Sequence, residues 1–489
     1  MTRHLPRGAG LTWLMSIRPT VSWSHSFDTP YVLPIPLWMY VYGCAATLIL
    51  TFALVALSSN KTTEVAGANA HRTPVKSSGH CLSQSGLQLL RTGAAGCLSV
   101  CILAGFLGTD PSQNIGMTLF WVVFLLGFAY ASVFLGNLYA LINPWRWVVE
   151  GAERLGLNLS TPRTRYPERL AYWPAFLCYM ALLWIELFLG PRPSILAISL
   201  VLYSIVTFTG VVLVGKLGWF CRGDVFSIYF RLFGKLAPIE YSPAGEWNFW
   251  RAGLRAPLAG ASNDRPNHIS LVLFVLLMLS STTYDGIHDT EFWTGLFWKT
   301  LLWLLEPLWG TDLGKAQSLL MHWYLVYRQV GLIIFPVLYL TAYLFVLWCA
   351  KVLSGSTIPL RDLALDFCYS LLPIAISYNV THYITFFITE MHNLPIVISD
   401  PFGLGWDIFR VLGKPKPFVL PMSLVWHAEV GILLAGHSIS VWLSHRIALR
   451  TFDTQRQILV SQFPLLVLMV AYTVIGLWIL SLPLGTVNG

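Results

Sequence analysis

Histidine and carboxylate are the side chains of this sequence best suited to chemistry, and they are unevenly spread. Of 12 His, six (His25, His288, His322, His382, His392 and His427) lie in loops or span ends on one side of the topology derived below, with ten of the 23 Asp and Glu. Neutral imidazole with carboxylate is the ligand set of zinc and similar divalent ions. The segment Tyr284-Asp285-Gly286-Ile287-His288-Asp289-Thr290-Glu291 gathers three carboxylates and one His just past an apolar stretch. Gly286 is expected to permit a tight turn through which they converge. A solvated polar loop is the plainer alternative.

A second group lies inside apolar stretches. His382 is eight residues before Glu390, about 12 Å along a helix. At such depth a polar group is costly and usually faces a bundle interior or a wet cavity. His427, with Glu429 close by, lies about two turns inside the next apolar stretch. The two His are therefore expected at similar depths on consecutive antiparallel helices, where one ion could be shared. Two buried His bonded to Ser, Thr or backbone is the competing reading. Glu186 and Asp366 are the other carboxylates within apolar stretches, each functional or structural. His437 and His445 stand eight residues apart, too far to chelate one ion; His437 is expected to bond a neighbouring helix and His445-Arg446 to anchor an inner face. Cys97 and Cys101 share a helix face and read as packing. The sequence has no GxSxG elbow, phosphate-binding GxxxxGK[ST] or HExxH.

The elements that must position these groups follow from composition. Of 489 residues, 55% are hydrophobic and 11% charged, with mean hydropathy +0.63. Soluble domains carry about 25% charged residues, so soluble, disordered and collagen-like classes are excluded. The 69 Trp, Tyr and Phe suit the aromatic belts of membrane interfaces. Ten stretches reach spanning length: 33–57, 87–108, 115–142, 170–189, 194–215, 268–283, 329–350, 363–390, 421–443 and 463–482. The fold class is an all-α polytopic transmembrane helix bundle. Residues 292–309, interrupted by Lys299 and Glu306, read as an amphipathic helix in the interface.

With the loop after the first span inside, 21 of the 31 Lys and Arg fall on inner loops and seven on outer ones. This positive-inside bias puts both mature ends outside and accounts for the net charge of +8 without nucleic acid. Residues 1–24 read as a poor signal peptide ending at Ser24, and 25–489 as a single transmembrane domain. Cleavage there would expose His25, whose imidazole and α-amine could both ligate a metal. The eight Cys avoid the outer loops, so no external disulfide is expected. Residues 58–86 read as a flexible inner loop. Asn137–Trp147 and Arg222–Pro238 read as aromatic, basic segments resting on anionic lipid.

Several segments together resemble a known family: His25 through Tyr40 (HSFDTPYVLPIPLWMY), Leu141-Ile-Asn-Pro-Trp-Arg146, Tyr166 through Pro174 (YPERLAYWP) and Arg222-Gly-Asp-Val-Phe226. Ser399 through Asp407 (SDPFGLGWD), and Gly436-His437 through Ser444-His445-Arg446, complete the set. From about 25 to 452 the chain resembles bacterial polytopic membrane proteins of the fenitrothion hydrolase type. Their characterised member is a membrane-bound organophosphate hydrolase of two different subunits, and this chain looks like one of them. Family members tend to carry an acidic residue where this chain has Arg446. The resemblance implies hydrolysis of an apolar phosphotriester to a nitrophenol and a dialkyl (thio)phosphate. It also implies a second, different membrane or periplasmic subunit, and a place in the bacterial inner membrane.

The residues then suggest how. One or two divalent metal ions on the outer (periplasmic) side, held by His382, His427, His288 and Asp285 with His25 as a further ligand, would activate water. Asp285 and Glu429 are the catalytic carboxylates of this scheme. Two other classes stay open on the sequence. One is a transporter or channel using Glu186, Asp366 and Glu429; the other is a scaffold whose partner carries the chemistry.

Overall fold

A computed structural model describes residues 34–58, 80–108, 114–157, 159, 161–190, 192–243, 250–301, 313–411 and 421–482. Residues 1–24, His25 and most of the expected inner loop 58–86 lie outside them. The principal helices are α1 (Leu37–Ser58), α2 (Gln84–Leu107), α3 (Ile115–Leu135), α4 (Pro144–Arg154), α5 (Trp173–Phe188) and α6 (Pro193–Arg222). They continue with α7 (Val225–Gly234), α8 (Ile269–Ile287), α9 (Leu313–Ser354), α10 (Leu372–Ser399), α11 (Met422–Thr451) and α12 (Gln455–Leu480).

Ten helical stretches among the described residues are long and apolar enough to cross a bilayer, and they coincide with the ten read from the sequence. The chain is an integral, multi-pass membrane protein, and its environment is the lipid bilayer. Where boundaries moved, a local cause is visible. The third stretch stops at Leu135, because Gly136 turns the backbone to φ 89°. At Gly215 the φ of 77° breaks α6 where the fifth span was expected to end, and helix resumes to Arg222.

The sixth stretch runs on to Ile287 rather than 283. The hydroxyls of Ser280, Ser281, Thr282 and Thr283 in its polar end bond carbonyls three or four residues back, so these side chains are satisfied inside the bundle. The expected turn at Gly286 is accordingly absent. Of the interfacial stretch 292–309, Glu291–Gly295 and Leu296–Leu301 are helical, and the remainder lies outside the described residues.

Two segments read as lipid-facing are buried instead. In α7, Phe226, Ile228, Tyr229, Phe230, Leu232 and Phe233 are each at most 3% exposed. This ten-residue helix is about 15 Å long and is wrapped by the bundle. Its N-cap Asp224, fully buried, accepts from Asn143 Nδ2 (2.9 Å), Ser227 Oγ (2.6 Å) and Tyr203 Oη. Trp145 of α4 stacks on Phe226 at 5.5 Å. These rings and polar groups satisfy one another, so none needs lipid headgroups.

A small antiparallel sheet, β1 (His80–Cys81), β2 (Ile239–Pro243) and β3 (Trp250–Leu254), joins distant loops in the order β1-β3-β2. His80 pairs with Ala252 and Tyr241 with Ala252 across the other edge. The sheet places Trp250 against Leu87 and Leu141. The segments that shape the site are α8 and α10, which pack together, with α3 and α11 against α10 and α5 against α8.

Candidate active site

Asp285 sits on the last turn of α8 and is 3% exposed. Its Oδ2 lies 2.7 Å from His382 Nε2 and accepts from Tyr383 Oη at 2.8 Å, both on α10. Gly286 has a use other than the expected turn: a Cβ there would stand 2.9 Å from Ile479 Cγ2 and 3.7 Å from the His382 ring. Its bare Cα therefore lets α12 close on α8. Tyr383 Oη also lies 3.5 Å from Glu186 Oε1 on α5. One phenol thus links two carboxylates from different helices.

A second cluster adjoins at the end of α8. His288 is fully buried and caps the helix, with Nδ1 2.9 Å from the Asp285 carbonyl and Nε2 3.2 Å from Asp289 Oδ2. Asp289 Oδ1 in turn accepts from Arg328 Nη2 at 2.9 Å. Tyr284 stacks on His288 and donates to the Arg328 carbonyl. Gly331, one turn beyond Arg328, has no room for a Cβ, which would meet Tyr284 at 2.6 Å.

Between these helices lies a cavity of about 120 Å³. Its polar lining includes Asp285, Glu186, Tyr383, Asn379, Arg328 and Glu390. Trp121, Leu125, Leu183 and Phe386 supply apolar wall. His382 and His288 are not in the lining. The carboxylate therefore faces the cavity and the imidazole stands behind it. Asn379 Oδ1 and Arg328 Nε are buried without hydrogen-bond partners among the described residues. An acceptor and a cationic donor are thus available to an occupant, each costly to leave unmade. The α3 wall of the cavity is a π-helix, Thr118–Gly127, a form found mostly as short insertions near functional sites.

The sequence-derived set is only partly assembled. Asp285, His288 and His382 converge. His427 does not join them: it is exposed on α11, 3.3 Å from Tyr40 Oη of α1 and 2.5 Å from the Ser423 carbonyl. Matching depth put His382 and His427 level, but their side chains leave the helices in different directions. Glu429 is buried on α11 and outside the cavity lining. Asp366 is held by Arg265 at 3.2 Å, away from the cavity. His437 Nδ1 bonds the Leu433 carbonyl of its own helix at 2.8 Å rather than a neighbour. His445 is no surface anchor; it is buried, 3.0 Å from Gln462 Oε1. Cys101 is buried and Cys97 exposed, both as free thiols.

Tyr383, Asn379 and Arg328 were not singled out from the sequence. The first two flank His382 in Tyr378–Tyr383, and a reading of which residues share the His382 neighbourhood would have found them.

Among the described residues no three His, Cys, Asp or Glu side chains are disposed to hold a metal ion. His382 and Asp285 lie 2.7 Å apart, at direct hydrogen-bond distance, so an ion would have to part them. Comparison with known proteins yields no match: no family model, no curated protein and no solved structure is significantly similar to this chain.

Proposed function

We propose that this chain is a membrane-embedded hydrolase of apolar esters, with phosphotriesters as the substrate class the family resemblance suggests. The observation that carries the reading is Asp285: a carboxylate facing a largely apolar cavity, fixed by His382 Nε2 and Tyr383 Oη. A carboxylate so held can take a proton from water as the oxygen attacks phosphorus. His382, behind it, sets its orientation and supports the change in charge.

Arg328, on the cavity wall, offers positive charge to the phosphoryl oxygen as charge develops there. The water oxygen bonds to phosphorus, the phosphorus–aryloxide bond breaks, the nitrophenolate leaves with the bonding pair, and the water proton passes to Asp285. The apolar wall suits the aryl group, and such substrates partition into bilayers. The positive-inside bias supports an outward orientation for this end of the bundle, and the family resemblance suggests the periplasmic side of an inner membrane. A second subunit fits the same resemblance.

Turnover of a nitrophenyl phosphotriester by purified protein, with and without a co-purifying partner, tests the reading. Activity in the single chain that Asp285→Asn abolishes supports it; an Asp285→Asn protein as active as wild type overturns it. Chelation supplies a further arm. Turnover that survives it agrees with a step run by Asp285 and His382, whereas loss with recovery on added ion would restore a metal to the scheme.

A further inference from the structure

One phenol stands between two carboxyl groups in the cavity wall, and it has a single proton to give. Tyr383 Oη of α10 lies 2.8 Å from Asp285 Oδ2 of α8 and 3.5 Å from Glu186 Oε1 on the last turn of α5. A hydroxyl donates one hydrogen and accepts through its lone pairs. The shorter contact makes Asp285 the acceptor of that hydrogen. For the longer contact to be a hydrogen bond as well, Glu186 must be the donor, which requires a carboxyl that holds its proton.

The surroundings of the two carboxyls differ in the same sense. Asp285 Oδ2 is met by both His382 Nε2 and Tyr383 Oη. Glu186 is half-buried on the cavity wall and has no Lys, Arg or His partner among the described residues. Glu150, Asp289 and Asp366, by contrast, each have an Arg beside them. An unpaired carboxylate in a membrane-embedded bundle is costly, and its neutral form far less so. Two carboxyls in unlike environments divide into a base and an acid. Both line one cavity, and the contacts of 2.8 and 3.5 Å taken end to end allow at most about 6.3 Å between them. One bound molecule can therefore meet both.

We propose that Glu186 is the general acid of this cavity, protonating the leaving oxygen of the bound ester, so that the substrate class extends to esters of weakly acidic phenols and alcohols. The inference rests on the ester-hydrolase reading above. Asp285 takes a proton from water as the water oxygen bonds to phosphorus. The bond from phosphorus to the leaving oxygen breaks, and that oxygen keeps the bonding pair and receives the Glu186 proton. Asp285 is then protonated and Glu186 ionised. Tyr383, in contact with both, resets them: its hydroxyl proton passes to Glu186 as it takes the proton from Asp285. Each group ends as it began, and the net transfer is of one proton from water to the leaving group. Nitrophenolate is a stable anion that departs without such help, so an activated ester alone conceals the role of Glu186.

Two dialkyl aryl phosphates, one carrying nitrophenyl and one plain phenyl, provide the test with the purified full chain and any partner that co-purifies. Wild type should turn over both. Glu186→Gln should lower the phenyl rate at least about 10²-fold more than the nitrophenyl rate, because the usual contribution of an acid–base group falls on the substrate that needs it. A Gln that merely disturbed packing would slow both alike. Where that variant does not fold, wild type alone decides: across a series of substituted phenyl esters, its kcat/KM should depend only weakly on the acidity of the leaving phenol. Equal loss on the two esters in Glu186→Gln, no loss on either, or a wild-type rate that falls steeply as the phenol becomes less acidic overturns Glu186 as the acid and leaves the hydrolase reading standing. No turnover of either ester by wild type overturns both.

Discussion

Helices α1 and α8 are close in length, 22 and 19 residues, and α1 is the more apolar. Yet 83% of the spanning window of α8 is buried inside the protein against 17% of that of α1. The stretch through α10 is likewise less apolar and likewise 83% buried. The ordering is the reverse of a soluble protein's, and the solvent explains it. Lipid accepts Leu or Ile at no cost but offers nothing to Ser, Thr, His or Asp, so the helices carrying those residues are drawn to the centre. Hydropathy alone is not the rule, since the stretch through α5 matches α8 in hydropathy and is 28% buried. What α8 and α10 share is the polar and ionisable groups of the candidate site.

Substitutions on the two kinds of helix should differ by orders of magnitude. The largest effect is expected at Asp285: Asp285→Asn should lower turnover about 10²–10⁴-fold, the usual contribution of an acid–base group, measured as initial nitrophenol release. Arg328→Leu should follow at about 10²-fold in kcat, as when a preorganised donor to developing charge is removed. At Gly436 of α11 an added Cβ would stand 2.1 Å from Ser377 Oγ and 2.8 Å from the Pro373 carbonyl. Gly436→Ala should therefore cost about 1–3 kcal/mol, seen as a lower midpoint of unfolding in detergent. His427→Ala should leave turnover within about twofold, since surface changes away from a site are usually small. Least of all, Leu50→Ala on the exposed side of α1 should shift stability by no more than about 0.5 kcal/mol. A large loss at His427 or Leu50 would break the division between the two kinds of helix.

That division also explains what could be read in advance. Span number and position follow from apolar length alone, and all ten stretches were legible. Depth was legible too, because the rise per residue is fixed; it brought Asp285, His288 and His382 to one end of the bundle. Rotation about the helix axis was not. Helix α11, with half of its spanning window buried, carries polar groups on more than one side, so the sequence did not show that His427 turns toward Tyr40 of α1 and away from His382. Glu186 stood out as an isolated carboxylate in a span, but its link to Asp285 through Tyr383 depends on which helices touch. The α7 segment was misread because Arg and aromatic residues together mimic an interfacial anchor. Only the contact of Asp224 with Asn143 and Tyr203 shows that it belongs inside.

The half-helix α7 also bears on how the protein enters its membrane. At about 15 Å it covers about half of the roughly 30 Å hydrocarbon core, so it cannot be released into lipid as a span in its own right. The partners of Asp224 lie on three stretches of chain, at Asn143, at Tyr203 in α6 and at Ser227 in α7 itself. Until Asn143 and Tyr203 are in place, Asp224 is held only by water and by the Ser227 hydroxyl and Phe226 N–H of its own helix. A helix too short to span and capped by contacts from two other segments is expected to settle only once those segments are in place, as a latch that closes one half of the bundle.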